Sequence, residues 1–335
     1  MAVLKEGENC WRISHADRAA FLIDCAAYFE SVADAIEQAQ TSVCISAWDI
    51  DSRIQLMRRS DTDADPQSLG PFLNAKTKRT RGLQVYVLAW DFPMLYVRER
   101  EWLPIFNLGW KTHQHIHFHL DDEHPIGASQ HQKLVVIDNR LAFCGGMDLS
   151  NSRWDTPQHE VEDPRRKDPN DKPYNPVHDL QMAVSGDAAA ALGELFSERW
   201  AMATGTPIDF QDSQSAEPWP KDLRPDLKDV KIAIARTLPA YKGRQEVREV
   251  QKLYSDGIAA AEKFIYIENQ YFTSTTIAKV LANILSEAEG PENVIVLPRE
   301  SSGWLEKSTM DALRARILKK QFADDRHYRL RHFYP

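Results

Sequence analysis

His131-Gln132-Lys133-Leu134-Val135-Val136-Ile137-Asp138, followed by Gly145-Gly146-Met147-Asp148, is the stretch from which the rest of the chain can be read. Four consecutive apolar, mostly β-branched residues between a basic head and an acidic tail predict a short buried strand over residues 134–137. Side chains alternate along extended backbone, so His131 and Lys133 leave on one face. A neutral imidazole can attack phosphorus, and an ammonium on a flexible stem suits a non-bridging phosphate oxygen. Asp138 is expected to anchor the turn after the strand. Gly145 and Gly146 let the backbone turn tightly and approach closely.

Outward from this stretch, apolar spacing at Phe21, Leu22, Cys25, Phe29, Val32 and Ile36 predicts a helix over residues 17–40. Further helices are expected over 69–81 and 187–202, and strands over 41–48, 83–90, 115–120, 141–144 and 180–184. Residues 58–71 and 160–176 read as loops, with the charge run 162–168 solvated. Strands alternating with helices argue for an α/β protein with a mixed sheet flanked by helices. Residues 205–229 hold four prolines and many acids and are the candidate linker.

The second part of the chain repeats the first. Residues 33–52 align without gaps on 255–274, with Asp34/Asp256, Ile36/Ile258, Ala39/Ala261, Ile45/Ile267 and Ser52/Ser274 identical. Val85-Tyr-Val-Leu88 is echoed by Val294-Ile-Val-Leu297, and His117-Phe118 by His332-Phe333. The expected organisation is a first half over 1–204 (motif region 125–152), a linker over 205–229, and the start of a second, homologous half over 230–335. The offset that carries His117 to His332 would place a second His-x-Lys at about position 346, so the second half is read as truncated before its motif.

With 41 Lys+Arg against 49 Asp+Glu the formal net charge is −8, which disfavours a non-specific nucleic-acid binder. An apolar fraction of 43% is that of a globular chain. No cysteine pair has metal or redox spacing, and Cys25, Cys44 and Cys144 sit among apolar neighbours as expected core thiols, consistent with a reducing compartment. No signal peptide and no apolar run of roughly eighteen residues is visible. The location expected is cytoplasmic or peripheral to a membrane, and a lipid substrate would be met from the aqueous side. Oligomeric state is left open.

The run His131-x-Lys133-x4-Asp138 with its downstream Gly145-Gly146 resembles the signature of the phospholipase D superfamily. Gly145-Gly-Met-Asp-Leu149, Arg153-Trp154-Asp155, His178-Asp179, Phe196-Ser-Glu-Arg-Trp200 and Ile265-Tyr-Ile-Glu-Asn-Gln-Tyr-Phe272 resemble segments of the eukaryotic-type branch, which bacteria also carry. That resemblance implies a phospholipase D-like fold of two pseudo-repeated halves. It also implies hydrolysis or transphosphatidylation of a phospholipid head group through a phosphohistidine, with no metal or other cofactor. His131 is the implied nucleophile, Lys133 the phosphate contact, and Asp179 a carboxylate that fixes the imidazole tautomer. Gly145, Gly146, Asp148 and Asn269 are the expected substrate-binding positions. A backbone-capping role for Asn269 stays open. The competing readings are a nucleic-acid phosphodiesterase and an incomplete fragment that binds phospholipid without turnover. His113, His115, His117 and His119 would share a strand face. Alternate strand positions are too far apart for four ligands on one ion, so one or two imidazoles are expected near the site. Trp90, Trp102, Trp110 and Trp154 are expected in the core.

Overall fold

The computed structural model describes residues 3–58, 68–91, 113–211, 216–299 and 304–334, with the side chains of 304–309 left aside. In chain order the elements are β1 (Arg12–Ile23), α1 (Asp24–Gln38), β2 (Ser42–Ala47), α2 (Leu69–Arg79), β3 (Gln84–Trp90), β4 (Ile116–Asp121), β5 (Leu134–Ile137), β6 (Leu141–Gly145), β7 (Leu180–Ser185) and α3 (Asp187–Thr204). They continue with β8 (Leu227–Ile234), β9 (Thr237–Leu238), β10 (Val247–Arg248), α4 (Glu249–Ala259), β11 (Phe264–Glu268), α5 (Thr275–Ser286), β12 (Glu292–Val296), α6 (Trp304–Asp324) and β13 (Leu330–Phe333).

The chain divides into two compact units. One holds Ile13–Ile232 and Pro239–Gln245, the other Met1–Arg12, Ala233–Leu238 and Glu246–Pro335. The first is built on an eight-stranded sheet of order β4-β3-β2-β5-β6-β7-β1-β8. β2, β3 and β4 run parallel, while β2–β5, β5–β6, β6–β7 and β7–β1 are antiparallel, so the sheet is mixed as expected. Every residue of β5 is buried, which places this strand between covered faces. Phe29, Val32 and Ile36 of α1 share one core with Val43, Ile45, Val135, Ile137 and Phe143. α3 packs on β5, β6 and β7. Between β5 and β6 the chain reverses through Asp138 (φ 51°) and Asn139 (φ 54°). The hairpin turn spans the three residues 138–140, since Ile137 pairs with Leu141 across it.

Three expectations change here. Residues 17–23 are strand, not helix. Ala19 to Ile23 pair with Val184 to Leu180, and exposure alternates with Phe21 and Ile23 outward and Ala20 and Leu22 inward. An Ala- and Arg-bearing segment has no strong strand propensity of its own, and the open edge of β7 decides its state. Residues 205–229 do not separate two bodies. Trp219 is buried in the core of the first unit, and β8 extends that unit's sheet, so the boundary falls near residue 232. Arg166, inside the charge run expected to be solvated, is 2% exposed. Its guanidinium donates to Asp155 Oδ1 and to the carbonyls of Glu160, Val161 and Tyr174, which satisfies a buried charge through one ion pair and three backbone acceptors.

In the second unit β11, β12 and β13 form a parallel sheet. Val294 pairs with Arg331 and Ile295 with His332 as Val85 pairs with Ile116 and Tyr86 with His117, so the echo between the two parts extends to strand register. The β11–β12 register is one residue displaced from that of β2–β3 under the same alignment. No described helix is long and apolar enough to cross a membrane.

Candidate active site

The reactive groups stand just before β5, on an irregular segment ending at Lys133. Gln130 pins that segment. Its Nε2 donates to Ser46 Oγ of β2 at 2.5 Å, and its Oε1 accepts from the Gln132 backbone at 2.6 Å. His131 is thereby left exposed and Lys133 buried. Lys133 Nζ lies 2.9 Å from Asp148 Oδ2 and 3.5 Å from His131 Nε2. An ammonium can only donate, so even at this outer limit of hydrogen bonding the contact calls for a lone pair on Nε2.

Trp48, at the end of β2, forms the floor. Its ring centroid is 5.7 Å from that of His131 and 5.7 Å from Lys133 Nζ, and it stacks on Trp90 at 5.7 Å. Its backbone N–H donates to Asp148 Oδ1 at 3.1 Å. Burial pushes the Asp148 carboxyl above its usual range, against the attraction of Lys133 and Arg153.

Gly145 and Gly146 serve close approach. A Cβ on Gly145 would fall 2.5 Å from the Leu180 carbonyl oxygen, and one on Gly146 would fall 2.1 Å from Asp179 Oδ1. The Asp179 carboxylate therefore occupies the space a side chain at 146 would need. It accepts from Leu180 N at 2.7 Å, and burial raises its pKa despite Lys133, Arg153 and His178. Lys133, Asp148, Asp179 and Arg153 thus share one electrostatic neighbourhood beside His131.

Asp138 stands apart. Its carboxylate accepts from the backbone N–H groups of Gln40, Thr41 and Ser42 and from Thr41 Oγ1, at 2.8 to 3.1 Å. It ties the β5–β6 turn to the start of β2. Asp138→Ala is expected to cost about 1–3 kcal/mol of stability by stranding buried donors, with kcat per folded molecule unchanged. Denaturant unfolding and active-site titration check both halves of that statement. Asn269 belongs to the other compact unit, and its Oδ1 accepts from Tyr271 N and Phe272 N, which is the capping alternative.

The alternating histidines lie elsewhere. β4 starts at Ile116, so His113 and His115 precede the strand, and β4 is three strands from β5 at the sheet edge. His117 stacks on Tyr86 at 5.0 Å and shares a hydrogen bond with Gln84 Oε1, while His119 meets Trp200 edge-on. They pack the edge rather than approach His131. Cys144 is exposed, contrary to expectation, whereas Cys10, Cys25 and Cys44 are buried. Trp90 and Trp154 are in the core as expected, and Trp102 and Trp110 lie outside the described residues. Trp48, Gln130 and Arg153 are site residues that spacing alone did not assign. Arg153 stood inside a quoted motif and Gln130 beside His131, so both positions offered a signal.

A family model described as Phospholipase D matches residues 111–280. Phospholipase D gamma 1 of Arabidopsis thaliana is 28% identical, covering 74% of this chain and 38% of that protein. Phospholipase D A of Dictyostelium discoideum is 26% identical, covering 87% of this chain and 25% of that protein. The chain spans less than half the length of these curated relatives. The solved phosphatidylserine synthase of Haemophilus influenzae Rd KW20 shares the fold at 12% identity, with a TM-score of 0.55 over 96% of this chain and 73% of that one.

Proposed function

This chain belongs to the phospholipase D family, and on that footing we propose that it cleaves the head-group phosphodiester of a phospholipid through a phosphohistidine. His131 Nε2 attacks phosphorus, a P–N bond forms, and the bond to the head-group oxygen breaks. Water or an alcohol then attacks the same phosphorus, the P–N bond breaks, and phosphatidic acid or a phosphatidyl alcohol leaves. Lys133 balances a non-bridging oxygen. Asp179, packed across Gly146, is the group proposed to set the imidazole tautomer. The head-group oxygen needs a proton, which a general acid must supply as the bond breaks.

The observation that carries this reading is Lys133 Nζ held 2.9 Å from Asp148 and 3.5 Å from His131 Nε2, a fixed cation beside a ring nitrogen whose lone pair faces it. Two features favour a lipid over a nucleic-acid diester: the net charge of −8 and the names of the curated relatives. The substrate is proposed to be met at a membrane surface. The test is turnover of phosphatidylcholine vesicles by the protein, quenched in alkali, with phosphopeptide mass spectrometry. Choline release with an acid-labile phosphoryl adduct on His131 is expected. Turnover without an adduct on His131 would overturn the nucleophile, and cleavage of DNA but not of phosphatidylcholine would overturn the substrate.

A further inference from the structure

Asp24, the first residue of α1, is fully buried, and its carboxylate meets two imidazoles from the ends of a long loop. Oδ1 lies 2.8 Å from His178 Nδ1, and Oδ2 lies 3.4 Å from His159 Nε2. One ligand atom from each of the three side chains falls within 4.8 Å of the other two. An ion bound at the usual ~2.0–2.1 Å would set its ligands roughly 3.3 Å apart, within reach of this arrangement. The two imidazole planes are nearly perpendicular at 82°, with centroids 5.2 Å apart.

The proton inventory of this cluster is incomplete. His159 Nδ1 lies 3.2 Å from Oδ2 of Asp155, which is itself buried. The Asp155 carboxylate also accepts from the N–H groups of Val177 and Thr156 and from the Arg166 guanidinium. A carboxylate only accepts, so Nδ1 carries the proton and donates. Nε2 of the same ring faces Asp24 Oδ2 at 3.4 Å, and Oδ2 is buried and accepts no hydrogen bond. A metal cation between them would be bound by both. Donation from the far nitrogen to a buried carboxylate is the arrangement that orients metal-bound imidazoles.

We propose that Asp24, His159 and His178 bind a first-row divalent transition metal, of which zinc is the type. Two imidazoles and one carboxylate suit such ions rather than magnesium or calcium. Its task is structural. It clips both ends of the 159–178 loop to the β1–α1 junction and fixes the backbone next to Asp179, whose N–H donates to Asp24 Oδ1 and whose carbonyl accepts from Asp24 N. The exposed trio His15, Asp17 and Asp229 also has ligand spacing, but it contains no buried acceptor lacking a donor.

The test is titration of the chelator-treated, otherwise intact protein with Zn²⁺ by calorimetry and with Co²⁺ by visible absorption. One equivalent should bind, with a Co²⁺ ligand-field spectrum, and Zn²⁺ should raise the melting temperature. His159→Ala and His178→Gln should each weaken binding by about a hundredfold or more, and Asp155→Asn by about 10–100-fold. Absence of stoichiometric binding to the wild-type protein would overturn the proposal and leave a doubly protonated His159 as the cation. Binding unchanged in both histidine variants would overturn it equally. Because the wild-type titration stands alone, poor folding of a variant does not protect the idea. The readouts do not depend on turnover, so the proposal can fail while the phosphodiesterase reading holds.

Discussion

Exchange of His131 for Asn is expected to lower phosphodiester cleavage by about a thousandfold or more, with no matching loss of stability. The two effects separate because of where the residue sits. His131 is exposed, and its neighbours are held without it: Lys133 by Asp148, Asp148 by the Trp48 N–H, and the approach segment by Gln130 on Ser46. Asn retains a polar group of similar reach but has no nitrogen lone pair able to form the covalent intermediate. Choline release and thermal unfolding of the variant should be measured side by side. Residual activity within tenfold of the parent would remove His131 from the chemistry. A melting temperature that collapsed with activity would mean the residue is part of the scaffold.

The second large effect concerns Lys133 and Asp148, whose side chains are 9% and 2% exposed. Asp148→Ala should cost about 3–5 kcal/mol, because it leaves a buried ammonium without its partner. The double change Lys133→Met with Asp148→Leu should recover most of that stability while losing activity, since well-packed apolar residues often replace a buried pair at little cost. On the proposed mechanism the ion pair is kept for what it does to a phosphate rather than for folding. The pH dependence has a definite sign. Burial raises the Asp148 carboxyl, so the folded protein takes up this proton at a higher pH than the unfolded chain. Between the two values the unfolded state binds fewer protons, and stability falls as pH rises through that window. The wild-type protein should therefore gain on Asp148→Asn as the solution is acidified through it. Denaturant unfolding of both proteins at several pH values decides the matter, and a gap that moves the other way contradicts the assignment.

Much of this was legible in the sequence where local pattern and tertiary need coincide. The apolar run 134–137 is β5 to the residue, because a strand buried on both faces must be apolar throughout. The repeat between the two parts extends to the β3–β4 and β12–β13 registers, where the echoed segments are parallel neighbours in each sheet. What escaped was set by partners distant in sequence. β1 is a strand because β7 offers an edge. Trp48 enters the site because β2 lies beside β5, and no spacing within either segment records that neighbourhood. Arg166 sits in a run of charges whose average reads as solvent-facing, yet three of its partners are backbone carbonyls, which have no sequence signature. Asp24 reads from spacing as one more helix residue, and its pairing with His159 and His178, distant in sequence, leaves no local pattern.

The β5–β6 hairpin has a bearing on how this site tolerates change over generations. Leu134 pairs with Cys144 and Ile137 with Leu141 across a three-residue turn whose first residue is tied down by its own carboxylate. The path from Lys133 to Asp148 is therefore a fixed length of paired chain, and it sets the distance between an ammonium and its counter-ion. Replacement of one apolar residue by another within it preserves that length. Gain or loss of a single residue slips the pairing by one and sends every side chain beyond it to the opposite face. Lineages carrying this site should accumulate substitutions between these two positions freely while accepting almost no insertions or deletions. Length, more than composition, is the heritable quantity in this segment.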